Sequence, residues 1–212
     1  MLQPNPVDFS LYLISNKQAL PEGRELLTGI EEALRGGVDA VQLRDKELPD
    51  SERLSLAHEL RVLTRRYRAR LLINGSIDIA LAVDADGVHL GAASQPINEV
   101  RQQLGPDKLI GYSAHQLEEL AVAAALGADF VTFSPIFFTP SKAAYGAPQG
   151  LDRLRAACQA SLLPVFALGG IDLGRVAAVR RAGAHGIAVI STILGSAEPR
   201  LAAQALAAAL RN

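Results

Sequence analysis

The sequence predicts an α/β protein folded as a (β/α)8 barrel, also called a TIM barrel. Short apolar segments with strand character occur eight times along the 212 residues, and segments with helical spacing of Leu and Ala follow them. These apolar segments are continuous, which is typical of parallel strands covered by helices. Polar residue types follow nearly every predicted strand. A barrel gathers such strand ends around one mouth, which favours it over an open doubly wound sheet with the same local pattern.

The predicted elements alternate along the chain. Strands are predicted at residues 11–14, 40–43, 71–73, 87–90, 109–112, 130–133, 164–168 and 186–190. Helices are predicted at residues 25–35, 51–67, 117–126, 173–181 and 200–210, among others. In segments 36–40, 126–130 and 182–186, glycine ends a helix shortly before the next strand. Because glycine adopts the left-handed conformation freely, it permits a tight turn at these places.

Length and charge predict one soluble domain, spanning residues 1–212, that binds a small molecule. The formal net charge is -1, so no overall basic field would attract nucleic acid or an anionic membrane. Cys158 is the only cysteine, which excludes an internal disulfide and a thiolate metal cluster within one chain. No export signal and no apolar segment long enough to span a bilayer is present, which predicts a cytoplasmic protein. Ala- and Leu-rich segments at 121–126 and 202–210 leave room for a helix-packed homodimer.

A phosphate site is predicted where the last two strands end. Gly169 and Gly170 follow the seventh strand, and Ile190 and Ser191 lie at the end of the eighth. In a barrel, the turns after these strands present backbone N–H groups to an anion, and glycine allows a close approach. The alternative is that Gly169 and Gly170 form only a tight turn.

Two cations and an amide alternate at the end of the second strand. Gln42, Arg44 and Lys46 would point the same way and could grip an anion and a heterocycle. The alternative is a solvated turn in which Asp45 and Glu47 pair locally with the cations.

The segment 134–142 is predicted to be a long loop after the sixth strand. It carries Thr139 and Lys142, and a lysine on a lid can reach a phosphate when the lid closes. The alternative is a surface excursion that buries Phe137 and Phe138.

His115 follows Ser113 just beyond the fifth strand and is the candidate acid–base group, because histidine titrates near neutral pH. The alternative is that His115 caps the helix that begins near Glu118. His58, His89 and His185 fit structural roles better: His58 is on a helix, His89 is within a strand and His185 is at the opposite end of the barrel.

Taken together, segments 41–46, 85–91, 111–115, 135–142 and 167–171 resemble the thiamine phosphate synthase superfamily, which includes the TenI-type thiazole tautomerases. The resemblance implies a (β/α)8 barrel and a small phosphorylated thiazole as substrate. The synthase joins hydroxymethylpyrimidine diphosphate to thiazole phosphate with the help of Mg²⁺, and the tautomerase moves a proton in a thiazole carboxylate phosphate. Positions that match the binding residues of the synthase are Gln42, Arg44, Lys46, Asn74, Ser113, Thr139, Lys142, Gly170 and Ser191.

The metal positions of the synthase do not match. Where the synthase has an Asn-Asp pair, this chain has Asn74 and Gly75, and where it has a second acidic residue, this chain has the segment 91–94, Gly-Ala-Ala-Ser. Mg²⁺ prefers carboxylate oxygens. The sequence therefore predicts no metal and no cofactor, with Mg²⁺ implied only if the chain is a synthase.

The same departures resemble the tautomerase branch, as do segments 72–81 and 187–199. In that branch a histidine at the position of His115 is the proposed proton-transfer residue. The resemblance thus favours a metal-independent thiazole tautomerase. Retention of Arg44, Lys46 and Lys142 resembles the synthase, which is the alternative, and a non-catalytic protein that binds thiamine phosphate is the third reading.

Overall fold

The computed structural model describes residues 7–45, 48–139 and 147–211. Its strands are β1 (Leu11–Ile14), β2 (Ala40–Leu43), β3 (Arg70–Asn74), β4 (Gly87–Leu90), β5 (Leu109–Ala114), β6 (Phe130–Phe133), β7 (Val165–Leu168) and β8 (Gly186–Val189). Its helices are α1 (Leu26–Arg35), α2 (Asp50–Tyr67), α3 (Ile77–Ala82), α4 (Ile97–Leu104), α5 (Glu118–Ala125), α6 (Gly150–Ala160), α7 (Leu173–Arg181), α8 (Ser191–Leu194) and α9 (Pro199–Arg211). A short 3-10 helix, Lys17–Ala19, follows β1.

Within these ranges the eight strands are parallel, and each pairs with the next until β8 pairs with β1. This confirms the predicted (β/α)8 barrel and excludes the open sheet. Strand β5 is two residues longer than predicted, because Ser113 and Ala114 continue the ladder opposite Thr132 and Phe133. That residues 1–212 form a single domain stays a prediction. None of the helices in the described ranges combines the length and apolar composition that a bilayer crossing requires.

The apolar core has two parts, inside the barrel and between the barrel and its helices. Inside, the rings of Phe9, Phe130 and Phe166 pack with centroids 5.0 to 5.4 Å apart, and we call these three residues the aromatic floor. Glycine makes room for this packing, since a Cβ on Gly111 would lie 2.4 Å from Phe130 Cζ and 2.5 Å from His89 Nδ1. The floor therefore fills the lower barrel and leaves polar side chains above it.

Three aspartates fasten the amino-terminal end of the barrel. Asp39 accepts hydrogen bonds from the Ser10 and Leu11 N–H groups, Asp86 accepts from Leu71 N–H, and Asp129 accepts from Ile110 N–H. Each carboxylate precedes an even-numbered strand and holds the start of the odd-numbered strand before it. At the fourth equivalent position, His185 Nε2 lies 3.1 Å from the Phe9 carbonyl oxygen, so His185 lies at this opposite end, as predicted.

The predicted glycine turns are confirmed. Gly37, Gly127 and Gly183 have φ of 99°, 98° and 99°. They stand two residues before Asp39, Asp129 and His185, respectively. Arg68 and Asp84 occupy the corresponding positions before β3 and β4 with φ of 55° and 50°. Because side chains other than glycine are strained in this region, these two turns are the costlier ones.

Candidate active site

The barrel brings the predicted site residues to one end, because the carboxyl ends of all its parallel strands share one mouth. Gln42 and Ser113 lie within β2 and β5, and Asn74 is the last residue of β3. The remaining described candidates follow the carboxyl ends of their strands: Arg44, His115, Thr139, Gly169, Gly170, Ile190 and Ser191. Lys46 and Lys142 lie outside the described residues.

A cavity of about 440 Å³ opens between the segments that follow β1, β6, β7 and β8. Five predicted residues line it together: Thr139, Gly169, Gly170, Ile190 and Ser191. Asn16 and Gln18, which the sequence did not predict as site residues, also line it. Gln42, Arg44, Asn74, Ser113 and His115 are not part of its wall, so the predicted residues fall into two groups.

The Gly169–Gly170 turn is shaped by a neighbouring segment. Both glycines have positive φ, of 105° and 63°. A Cβ on Gly169 would lie 2.9 Å from Pro135 Cα, and a Cβ on Gly170 would lie 2.7 Å from the Phe138 carbonyl oxygen. Glycine is therefore required by the backbone conformation and by the segment 135–138, a reason that differs from the predicted close approach of a phosphate.

The cavity wall carries backbone donors suited to an anion. Within the described residues, no backbone carbonyl accepts the N–H groups of Gly170, Ser191 and Thr192. The Thr192 hydroxyl donates to the Ile171 carbonyl oxygen at 2.6 Å, which ties the turn after β8 to the turn after β7. Backbone N–H groups around a short helix after the last strand are the recurrent phosphate site of such barrels.

The second group extends into the barrel interior. Gln42 Nε2 donates to the Tyr12 hydroxyl at 2.8 Å, and His89 lies between Tyr12 and Ser113, 3.3 and 3.0 Å from their oxygens. Burial, with the positive charge of Arg44 as a second and smaller cause, lowers the pKa of His89 to about 3. His89 is buried within a strand as predicted, yet its contact with Ser113 connects it to the site.

Asp45, the acidic residue next to Arg44, is hydrogen-bonded to residues that follow β1 and not to Arg44. Asp45 accepts hydrogen bonds from the Ser15 hydroxyl at 2.9 Å and from the Lys17 N–H at 3.3 Å. The Ser15 oxygen in turn accepts the Arg44 N–H at 2.8 Å. Local pairing of Asp45 with Arg44 is therefore not what the structure shows, while Glu47 lies outside the described residues. The guanidinium of Arg44 has no ion pair within the described ranges and can meet an anion.

The imidazole of His115 is oriented by a backbone carbonyl. Its Nδ1 lies 2.8 Å from the Ser134 carbonyl oxygen, which can only accept, so Nδ1 carries the proton in the neutral ring. Nε2 then carries the lone pair and can act as a base. The helix start is capped instead by the Glu119 carboxylate, which accepts the N–H groups of His115 and Gln116. The alternative that His115 serves as the helix cap is wrong.

The segment after β6 is fastened to the turn after β7. The Ile136 and Phe137 N–H groups donate to the carbonyl oxygens of Leu168 and Gly169 at 2.9 and 3.0 Å. Phe137 packs against the core and under the guanidinium of Arg175, 4.6 Å from its ring centroid, whereas Phe138 is 66% exposed. The alternative that both phenylalanines are buried is therefore wrong for Phe138. A lid role for Lys142 stays a prediction.

Gly75 and the segment 91–94 occupy the positions of the synthase's metal ligands, but they lack the carboxylates that bind Mg²⁺. A Cβ on Gly75 would lie 3.9 Å from Ser94 Oγ, so the two positions are close in space. Ser94 Oγ accepts the Gly91 N–H at 2.9 Å. The described residues contain no group of three or more His, Cys, Asp or Glu side chains that could hold a metal ion. The donors on offer here are a hydroxyl and the Asn74 amide, which lack the charge that Mg²⁺ prefers.

Comparisons with known proteins agree with this architecture. A relative from Geobacter sulfurreducens named "Putative thiamine-phosphate synthase" is 52% identical over 96% of this chain and 95% of its own. A relative from Roseiflexus castenholzii named thiamine-phosphate synthase is 41% identical over 95% of this chain and 90% of its own. The solved structure of thiamine phosphate pyrophosphorylase from Pyrococcus furiosus superposes with a TM-score of 0.87 at 35% identity, over 98% of this chain and 96% of that one.

A family model described as thiamine monophosphate synthase matches residues 11–193, which run from the first residue of β1 into α8. The match includes both groups of site residues. The chain therefore belongs to the thiamine monophosphate synthase family.

Proposed function

We propose that this chain is a thiamine phosphate synthase, which joins hydroxymethylpyrimidine diphosphate to thiazole phosphate and releases diphosphate. This reverses the order expected from the sequence, in which the tautomerase came first. The relatives that are 52% and 41% identical carry the synthase name, and none of these comparisons singles out the tautomerase branch. The change in order rests on those names.

One structural observation carries the proposal: the site has two separate regions that suit anions. The cavity wall offers the backbone donors of Gly170, Ser191 and Thr192. Arg44 and Ser113 lie outside that wall, at the ends of β2 and β5. A reaction between two phosphorylated substrates needs two such regions. The tautomerase substrate, which carries a carboxylate and a phosphate, could also use both, so the preference for the synthase comes from the names of the relatives.

The reaction assigns a task to each region. The cavity holds the thiazole phosphate through backbone N–H groups, which fixes the thiazole nitrogen for attack. Arg44 and Ser113 face the diphosphate of the other substrate. A bond forms between the thiazole nitrogen and the pyrimidine methylene carbon, while the bond from that carbon to the diphosphate oxygen breaks. The positive charge of Arg44 stabilises the charge that develops on the leaving diphosphate.

No step is assigned to a metal, because Gly75 and the segment 91–94 supply no carboxylate. The test is to incubate the protein with both substrates, with and without Mg²⁺, and to separate the products by chromatography. The proposal predicts thiamine phosphate and diphosphate in equal amounts. Absence of thiamine phosphate under both conditions, from protein with intact secondary structure, would overturn it.

A second candidate, the thiazole tautomerase, is favoured by the geometry of His115. The bond from its Nδ1 to the Ser134 carbonyl leaves Nε2 as a base for proton transfer. Supplying the thiazole carboxylate phosphate and following formation of the aromatic ring tests this candidate. Under the tautomerase proposal, His115→Asn binds the substrate but loses most of its turnover. Unchanged turnover in that variant would reject the role of His115.

A further inference from the structure

A chain of hydrogen-bonded side chains crosses the barrel interior above the aromatic floor. It runs from Gln42 to Tyr12, then to His89, and ends at Ser113, with successive distances of 2.8, 3.3 and 3.0 Å. Tyr12 is 0% exposed and His89 is 2% exposed. Bulk water therefore has almost no access to the two central groups, and each must find its partners among the neighbouring side chains. His89 Nε2 also lies 3.5 Å from the Thr132 hydroxyl oxygen, farther than the 3.0 Å to Ser113.

Counting the protons shows which group is the donor and which the acceptor in each of these hydrogen bonds. The Gln42 amide N–H donates to the Tyr12 oxygen, so the single proton of Tyr12 goes to His89 Nδ1. A neutral imidazole that accepts at Nδ1 carries its proton on Nε2 and donates it to Ser113 Oγ. Ser113 makes no other side-chain hydrogen bond within the described residues. Its own proton is then available to a ligand at the mouth.

Electrostatics keeps the central ring in the form that this direction requires. Burial depresses the pKa of His89, with Arg44 as the second cause, so the ring is neutral at physiological pH. Burial also raises the pKa of Tyr12, which keeps its hydroxyl protonated. Arg44 lies close enough to lower the pKa of His89, so its positive charge acts on the ring that contacts Ser113. An anion, which offers only acceptor oxygens, is the ligand class that suits both a cation and a hydroxyl donor.

We infer that Tyr12 and His89 are positioning residues that hold the Ser113 hydroxyl as a hydrogen-bond donor to an anionic substrate group. The inference rests on the proposed function, which supplies the diphosphate as that anion. With the opposite direction, Ser113 would donate to His89 and turn its lone pairs towards the anion, which would weaken binding. These hydrogen bonds thus make the Ser113 hydroxyl the donor in its contact with the anion, although Tyr12 and His89 do not touch the anion themselves.

The first test reads the tautomer directly and needs no substrate. In protein labelled with ¹⁵N-histidine, long-range ¹H–¹⁵N correlation spectra separate imidazoles protonated at Nε2 from those protonated at Nδ1. We expect His89 to be a neutral Nε2–H ring from pH 6 to pH 8. In Tyr12→Phe the donor to Nδ1 is gone, and the fixed tautomer should be lost. An Nδ1–H ring in the unsubstituted protein would overturn the inference.

The second test compares two substitutions of His89. His89→Gln keeps the direction, because its amide oxygen can accept from Tyr12 and its amide N–H can donate to Ser113. His89→Leu removes both bonds. We expect kcat/KM for the diphosphate substrate to fall roughly tenfold in the leucine variant, through a raised KM, and to stay within about threefold in the glutamine variant. Equal losses in the two variants would contradict the inference.

Two controls separate the outcomes. Tyr67→Phe removes a tyrosine hydroxyl that bonds Glu31 on the outer surface, and it should change KM less than twofold. Thermal unfolding of each variant shows whether the barrel is intact, and the tautomer measurement stands if a variant does not fold. If the unsubstituted protein makes no thiamine phosphate but shows the Nε2–H ring, the proposed function fails while the direction of the chain is retained.

Discussion

At the amino-terminal end of the barrel, the carboxylates of Asp39, Asp86 and Asp129 each accept at least one backbone N–H, and two of them also pair with arginines. At the carboxyl end, within the described residues, Arg44 has no ion pair and the N–H groups of Ser191 and its neighbours have no backbone acceptor. Polar groups satisfied by the protein stabilise it, whereas polar groups left without partners can bind a ligand. The comparison teaches that polar groups at the amino-terminal end of the barrel serve stability, whereas those at the carboxyl end are available for binding.

The largest expected effect comes from removing the cation at the carboxyl end. Arg44→Gln should lower kcat/KM for the diphosphate substrate roughly 100-fold, because a charge-assisted hydrogen bond to the leaving group is lost. Steady-state kinetics measures it. Arg155→Gln is the matched control, since the one ion pair of Arg155 within the described part of the chain is with the exposed Asp152 on α6. Similar losses in the two variants would remove Arg44 from the site.

Breaking the amino-terminal end should reduce stability and spare the reaction. Asp129 accepts the Ile110 N–H at 2.7 Å and pairs with Arg101 at 2.6 Å, with both side chains about one-fifth exposed. Asp129→Ala should lower the free energy of unfolding by about 2–3 kcal/mol in urea titrations and change kcat/KM less than about threefold. Asp152→Ala, at an exposed pair, should cost less than about 0.5 kcal/mol. A collapse of kcat/KM in folded Asp129→Ala would contradict the separation of the two ends.

The pH dependence of stability sharpens the comparison in the barrel interior. His89 has a folded pKa of about 3 and an unfolded pKa near ~6.5. Between these two pH values the unfolded protein binds a proton at His89 that the folded protein does not, so unfolding takes up a proton. The stability that depends on a neutral His89 is complete above pH ~6.5 and is lost as the pH falls towards ~3, by roughly 1.6 kcal/mol between pH ~6.5 and ~5. His185, whose pKa is also lowered by burial, acts in the same direction.

Urea titrations at several pH values between 5 and 7.5 measure this slope. The control is His89→Gln, which lacks the titrating group and should lose most of the slope while retaining the share of His185. A slope of equal size in that variant would show that His89 is not the buried group responsible.

The smallest effect concerns the turns that lead into the strands. Arg68 is exposed and has φ of 55°, where glycine stands in three equivalent turns. Arg68→Gly should raise the free energy of unfolding by about 0.5–1 kcal/mol, and Gly127→Ala, with φ of 98°, should lower it by about 1 kcal/mol. Chemical denaturation measures both. Destabilisation by Arg68→Gly would indicate a contact that outweighs the backbone strain.

Local patterns predicted the barrel because the strands are short and mainly apolar and the glycine turns recur before several of them. The grouping at the mouth was predictable for Gly170 and Ser191, since the ends of adjacent parallel strands must lie side by side. The role of the Gly169–Gly170 turn was not, because its neighbours at 135–138 come from another strand-to-helix segment. The spacing of residues within one segment does not predict its contacts with a segment that is distant in the sequence.

The contacts of His89 could not be predicted from the sequence. All four residues of β4 are buried, so burial alone does not tell which side chains face the interior. Only closure of the barrel places His89 between Tyr12 and Ser113. Asn16 and Gln18 could have been found, because they follow β1 as the other candidates follow their strands.

The most direct test of the separation of the two ends is a titration of ¹⁵N-labelled protein with thiamine phosphate, followed by amide ¹H–¹⁵N spectra. The account predicts saturable shifts for the amides of Gly170, Ser191 and Thr192, with those of Asp39, Asp86 and Asp129 unmoved. Saturable shifts confined to the aspartate end, or none at the Gly170 and Ser191 turns, would contradict it.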